Sequence, residues 1–400
     1  MISLAGRDIQ HAWGKFLFTG IGLGLLIGVT LIMAGVYRGL VADARALLDN
    51  SGADLWVVQQ DTQGPYAESS SLPDDAYRSI LGLEGVRQAA NVTYLTMQAR
   101  HRGRDVRIMV VGATLGIPGA TPGGPPNLVA GRQIVLNHYE AVADVTTGFA
   151  LGDRITIRRH EYTVVGQTRR TVSSSGDPMV FIPLKDAQQA QFQKDNDAIW
   201  QSRRRTAANP GLNQPGNDAA RQAVLDSQTS NPSVNAVLVT LHPGADAAEV
   251  AARIQRWTRL SAYTRTQMET ILVDKLVASS ARQIGMFLMI LALVSAAIVA
   301  FIIYSLTMDK IREIAVLKLI GTRNRTIAGM ILQQALALGL IGFMVGQIAA
   351  TFSAPVFPKY VLLIPADSAA GLAAILLICA LASLVAIRIA LRVDPADAIG

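Results

Sequence analysis

Four hundred residues, half of them hydrophobic and only 16% charged, with a positive mean hydropathy, describe a membrane protein rather than a string of soluble domains. The formal net charge of +7 does not point to nucleic acid, because several basic residues sit beside long apolar runs, where membrane topology accounts for them. The single cysteine, Cys379, excludes a disulfide framework, a Cys-type metal site or a redox pair within one chain.

Residues 1–15 read as an amphipathic helix at a membrane interface. Ile2, Ile9, Trp13 and Phe16 form its apolar side, and Arg7, His11 and Lys15 carry positive charge. The first span is expected at 16–37. Its apolar run exceeds the ~7–15 residues of a signal-peptide h-region, and Arg38 precedes the small-x-small triplet Ala42-Asp43-Ala44, so an uncleaved span is the better reading. Gly20, Gly24 and Gly28 place small residues four apart on one face, which lets another helix backbone come close. That partner is either a span of the same chain or the same span of a second copy; both stay open at this point.

Helical spacing continues past the first span through Leu40, Ala44, Leu47 and Leu48. It recurs ahead of the second span through Ile271, Leu272, Leu276 and Val277. These segments read as a pair of stalk helices, marked by Leu47 and Leu276, or more plainly as amphipathic helices capping a domain.

The soluble stretch between them, within 38–283, opens with a strand at 54–60 and a helix at 73–83. Paired strands follow over 86–114 with a turn at 101–104, then a Gly/Pro loop at 121–126. Short β-prone runs separated by polar turns fill 131–183 and predict a small β-rich subdomain. Residues 188–231 are poor in large apolar side chains and read as a helix-and-loop insertion, with Arg203 to Arg205 as a solvated loop. A strand at 234–241 and a helix at 247–260 then complete one α+β subdomain split by the β-rich insertion.

Three further spans are expected at 284–307, 327–352 and 369–391, with an external loop at 353–368 and a short tail at 392–400. Basic residues cluster at the N-terminus, between the second and third spans, and at the C-terminal end of the fourth. The basic side of short loops is cytoplasmic, so both termini are expected there and the large domain outside, in a multi-pass protein of the plasma (inner) membrane.

Residues 308–326 hold more than topology. Lys310, Arg312, Lys318, Arg323 and Arg325 stand against Asp309 and Glu313. Ile311, Ile314, Ala315, Leu317, Leu319 and Ile320 recur at helical spacing, and Gly321 ends the run as a helix C-cap would. A short amphipathic helix at the cytoplasmic face needs a partner for its apolar side, and a docked cytoplasmic protein is the expectation.

This segment resembles the coupling region of MacB/FtsX-like ABC transporter permeases, the type VII or mechanotransmission class. There a charged residue, Arg-Glu-Ile and a small residue lead some eight positions on to a Gly that opens the next span; here these are Arg312, Glu313, Ile314, Ala315 and Gly321. The family more often has Gly at the position of Ala315, and an acidic residue where Gln333 and Gln334 stand. The layout of one span, a large external domain and three spans is similar over the whole chain. So is Leu151-Gly152-Asp153 before a strand in the β-rich insertion.

The resemblance implies an α-helical membrane protein of four transmembrane helices with a large extracytoplasmic α+β domain between the first and second. It implies an ATPase subunit, in two copies and carrying ATP and Mg, docked on Arg312, Glu313, Ile314, Ala315, Leu317, Lys318 and Gly321. It further implies a homodimer of this chain in contact with membrane lipid, and allows a periplasmic adaptor of the membrane-fusion type.

Motifs for chemistry on the chain itself are missing. No G-x-x-x-x-G-K-[ST] loop occurs, since Ile9 stands where the glycine before Gly14-Lys15 would be. No G-x-S-x-G occurs, and His160-Glu161 lacks the second histidine of a zincin pair. Charges are nearly absent from span centres, which argues against a secondary transporter. The expectation is a non-enzymatic permease subunit with no cofactor of its own, working in export or extraction at the outer face. The alternatives are an ATP-driven regulator of an extracytoplasmic enzyme, or a scaffold or sensor.

Overall fold

A computed structural model describes residues 13–115, 121–126, 128–191, 201, 204–211, 218, 222, 224, 233–357 and 359–392. The expected N-terminal amphipathic helix, most of the 188–231 insertion and the tail therefore lie outside the described residues. The chain divides into two compact units: Val41–Ala278, and Met1–Leu40 with Ser279–Gly400.

The second of these is a helical unit. α1 (Trp13–Ser51) begins in it and runs unbroken past its boundary at Leu40. Its 39 residues rise about 58 Å, well beyond the roughly 30 Å hydrocarbon core of a bilayer. The first span thus extends as a helix beyond the apolar run 16–37. Among the described residues four helices are long and apolar enough to cross a membrane, over Leu17–Ser51, Ser280–Asp309, Asn324–Val356 and Pro365–Leu391. One shared core of Leu23, Ile27, Leu31, Val299, Ile303, Leu338, Phe343, Ile375 and Cys379, among others, packs the spans together.

The glycine face of α1 is occupied from within this unit. A Cβ on Gly20 would meet the Ile341 side chain at 2.7 Å. On Gly24 it would meet Val345 at 2.6 Å and the Gly342 carbonyl oxygen at 2.9 Å, and on Gly28 the Gly346 carbonyl oxygen at 3.1 Å. Gly342 and Gly346 of the third span return the approach, facing Leu23 and the Gly24 carbonyl. The small-residue stripe is therefore a seam between two spans of one chain and is not free to receive a second copy there.

The α+β unit is built on a ten-stranded sheet with β1 (Leu55–Val58), β3 (Val86–His101), β4 (Arg104–Ala113), β5 (Leu128–Gly131), β6 (Glu140–Asp144), β7 (Arg154–Ile157), β8 (His160–Thr168), β9 (Met179–Pro183), β11 (Ala236–Leu241) and β12 (Ser261–Thr264). Its order is β12-β1-β11-β3-β4-β9-β6-β8-β5, with β7 bridging β3 and β8. β2 (Leu72–Pro73) and β10 (Ser233–Val234) form a separate two-stranded piece. The split α+β part and the β-rich insertion are therefore one continuous sheet, joined where β4 runs parallel to β9, Met109 opposite Met179. Two cores remain distinct on it. One gathers Leu55, Val57, Ile80, Val237, Val250 and Ile254 under α2 (Ala76–Leu81) and α4 (Ala247–Thr258); the other gathers Ile108, Phe149, Ile155, Tyr162 and Ile182 in the insertion, with Ala187 from α3 (Leu184–Gln191).

Local chemistry sets the turns. Arg102 and Gly103 both take positive φ, 48° and 78°, the backbone a two-residue hairpin needs between His101 and its partner Arg104. In the Leu151-Gly152-Asp153 turn, Gly152 has φ 82°, and the Asp153 carboxylate accepts the Ala150 N–H at 2.9 Å, closing the chain into β7. Two buried carboxylates organise the insertion. Asp144 accepts from the backbone and hydroxyl of both Thr146 and Thr171 at 2.6–2.9 Å. Glu140 accepts from Arg132 and from the N–H groups of Val135 and Leu136 at 2.9 and 3.0 Å.

Candidate functional site

The Arg-Glu-Ile segment folds as α7 (Ile311–Leu319), between α6 (Ala278–Asp309) and α8 (Asn324–Ser353). Glu313 lies in its first turn and Lys318 in its last, the arrangement that complements a helix dipole. Gly321 closes it with φ 89°. The Gly321 N–H donates to the Lys318 carbonyl and the Thr322 N–H to the Leu317 carbonyl, both at 3.0 Å, which together form a Schellman cap. A residue with a Cβ would strain that left-handed turn, so the glycine sets the angle at which the chain enters α8.

The apolar residues of α7 do not share one side. Ile314 and Ala315 are 2% and 3% exposed, with Ile314 in the core shared by the spans, whereas Val316, Leu319 and Ile320 are 45%, 65% and 76% exposed. Ile314 and Leu319, five residues apart, point about 140° apart around a helix of 3.6 residues per turn. The expected docking set is corrected accordingly. Ile314 and Ala315 anchor α7 to its own chain, and Leu317 is half-buried. Lys318 turns back to donate to the Leu391 carbonyl oxygen at 2.9 Å. The surface open to a partner is Arg312, Glu313, Val316, Leu319 and Ile320, followed by Gly321.

The stalk positions also differ from the expectation of a simple helical pair. Leu47 is 2% exposed and lines a cleft with Tyr66, Tyr94, Val111, Met179 and Phe181, so the end of α1 is seated on the sheet of the α+β unit. Ahead of the second span, α5 (Arg265–Ile271) passes into α6 through a π-helical stretch, Leu272–Val277, which contains Leu276. The helix is continuous but its hydrogen-bond ladder is not uniform. Ion pairs link α1 and α5 one turn apart: Arg45 to Glu269 at 2.7 Å, and Asp49 to Arg265. Sequence reasoning missed these pairs, since only the alternation of charge along two distant helices hinted at them.

Among the described residues no group of three or more His, Cys, Asp or Glu could hold a metal ion.

The profile of the MacB-like periplasmic core domain matches residues 16–257, and that of the FtsX-like permease C-terminal region matches residues 285–395. An uncharacterized ABC transporter permease of Mycobacterium tuberculosis is 24% identical over 401 residues, covering all of this chain and 99% of that protein. A putative hemin transport system permease of Staphylococcus haemolyticus is 21% identical over 413 residues with the same coverage. Among solved structures, the extracellular domain of the noncanonic ABC-type transporter YknZ from Gram-positive bacteria overlays with a TM-score of 0.32 at 11% identity, covering 53% of this chain and 100% of that one. The periplasmic region of MacB from Actinobacillus actinomycetemcomitans overlays with a TM-score of 0.34 at 8% identity, covering 56% and 96%.

Proposed function

The chain belongs to the MacB/FtsX-like family of ABC transporter permeases, and from that premise we propose that it converts ATP hydrolysis by a separate ATPase, in two copies, into movement of its α+β unit outside the membrane. Arg312, Glu313, Val316, Leu319 and Ile320 are the ATPase contact. The chain acts as a homodimer in the plasma membrane with both termini cytoplasmic. Its work is export or extraction of a hydrophobic or amphipathic substrate at the outer face, by mechanotransmission rather than through a polar channel. The observation that carries this reading is α7 itself, embedded through Ile314 and Ala315 while Leu319 and Ile320 face outward. A helix held rigidly on one side and apolar on the other passes a push from a bound partner into the spans. A substrate of amphipathic character is supported by the Staphylococcus haemolyticus relative, whose name ties it to hemin.

Purification of the intact chain from membranes tests the proposal. An ATPase should co-purify and its hydrolysis should respond to the permease, with lipid-like or amphipathic molecules retained. A chain that purifies alone and stable would favour a scaffold, and co-purification of an extracytoplasmic enzyme would favour a regulator.

A further inference from the structure

We propose that α9 (Pro365–Arg392), the last span, is the strut that carries displacement of α7 to the stalk portion of α1, with Lys318, Asp367 and Arg38 as the positioning residues at its two ends. This inference rests on the coupling reading above and adds the route.

At one end, the Lys318 Nζ donates to the carbonyl oxygens of Leu391 at 2.9 Å and Ala390 at 3.5 Å. These carbonyls belong to the last turn of α9, where backbone acceptors lack intrahelical partners and the helix dipole presents its negative end. An ammonium group there is held by charge as well as by hydrogen bonds. Ile314 of α7 also shares its buried cluster with Ala386 and Ala390 of α9, so the tie is backed by packing.

At the other end, Asp367 lies in the first turn of α9 and grips Arg38 of α1 in both directions. Arg38 Nε donates to Oδ2 at 3.1 Å and a terminal guanidinium nitrogen donates to Oδ1 at 3.0 Å. Paired parallel bonds of this kind fix orientation as well as distance. The segment leading into α9 closes on α1 around them. The Leu362 N–H donates to the Gly35 carbonyl at 3.0 Å, and a Cβ on Gly39 would run into the Tyr360 carbonyl oxygen. Gly39 is thus a site of close contact between α1 and the segment leading into α9.

Between these ends α9 is 28 residues of helix, about 42 Å long, with its only proline at the first position. α1 continues from Arg38 to Ser51 without interruption. The alternative route, through α6, must pass the π-helical stretch Leu272–Val277, where the ladder is irregular. A regular helix transmits axial displacement better than one with a widened turn. Spatial contiguity becomes coupling only when perturbing one tie changes the response at the other.

The experiment uses the full chain assembled with its ATPase in nanodiscs, with spin labels at Asn324 and Ala46 and labelled chains diluted by unlabelled ones. Trapped nucleotide should shift the distance in the wild type. Lys318→Met and Asp367→Asn should each lose that shift while ATPase association and hydrolysis persist. Lys318→Arg should keep it, and the exchange Arg38→Asp with Asp367→Arg should restore what Arg38→Asp alone removes. Because the ties act in series, Lys318→Met with Asp367→Asn should be no worse than either alone, a non-additivity that independent structural damage would not give. A full shift in both Lys318→Met and Asp367→Asn overturns the strut. Absence of any shift in the wild type overturns the coupling reading itself, and the strut with it.

Discussion

The carbonyl oxygen of Gly24 in α1 and the α-carbon of Gly346 in α8 pass so closely that a Cβ on Gly346 would lie 2.7 Å from that oxygen. The contact welds the first span to the third along three successive turns of glycine. It also leaves the lipid- or partner-facing surface to other residues, such as Phe287, Ile290 and Leu293 of α6, each more than half exposed.

A disulfide reports this seam directly. A Cβ on Gly20 lies 3.6 Å from the Ile341 Cβ, within the range that a disulfide bridges. In a Cys379→Ser background, Gly20→Cys with Ile341→Cys should form an intrachain bond on oxidation, seen as a monomer of altered mobility. Intermolecular crosslinks alone would contradict the seam. Gly24→Leu, which forces a large side chain into backbone, should lower thermal stability by about 1–3 kcal/mol.

The two sides of α7 should separate two phenotypes. Leu319→Asp places a charge on an exposed position and should leave the chain folded in the membrane while reducing ATPase co-purification at least about tenfold, the loss of roughly 1.4 kcal/mol of contact energy. Ile314→Asp puts a charge into the shared core and should instead lower the stability of the helical unit by several kcal/mol. Thermal unfolding in detergent beside pull-down yields distinguishes them. Equal loss of folding in both variants would remove the assignment.

The insertion should carry an acid-sensitive brace. The Arg132 side chain, helped by the N–H groups of Leu136 and Val135, holds the Glu140 carboxyl at about 2, below its ordinary 4.5. A carboxylate depressed in the folded state stabilises above its unfolded value and loses that stabilisation as pH falls, here between about 4.5 and 2. Arg132 is half exposed, so solvent screens the pair and weakens its contribution. Hydrogen exchange over residues 135–144, corrected for the intrinsic pH dependence, should show protection falling through that window. Glu140→Gln should flatten the profile; an unchanged slope would mean the brace lies elsewhere.

Topology is open to a direct assay. Ser69 and Thr146 are exposed positions of the α+β unit, whereas Ser173 is buried and would be a poor probe. Cysteines at Ser69 or Thr146 should react with an impermeant thiol reagent in intact cells, and a cysteine at Asn324 only after permeabilisation. The reverse pattern would invert the orientation.

Much of the architecture could be read from local pattern. Runs of apolar residues set the four long helices, because a helix that is hydrophobic all round must be buried or span a membrane. Arg102-Gly103 and Gly321 mark their turns, because positive φ is a property of a residue and its immediate neighbours. The β-rich composition of 131–183 correctly forecast strands. Their incorporation into a single sheet depends on Met109 meeting Met179, seventy residues away, and no short-range periodicity encodes that register.

The functional residues divide along the same line. The chain's own sequence determined that α7 would be a short helix, that it would end at Gly321, and that Gly20, Gly24 and Gly28 would face a close neighbour. Tertiary structure alone decided that Ile314 points inward and Leu319 outward, that Lys318 reaches the end of α9, and that the neighbour of the glycines is α8 of the same chain. The reason is physical. Helix formation and turn geometry follow from interactions among residues a few positions apart, whereas the face a helix buries depends on where a distant segment comes to rest. Arg38 and Asp367, 329 residues apart, find each other only once α1 and α9 are packed.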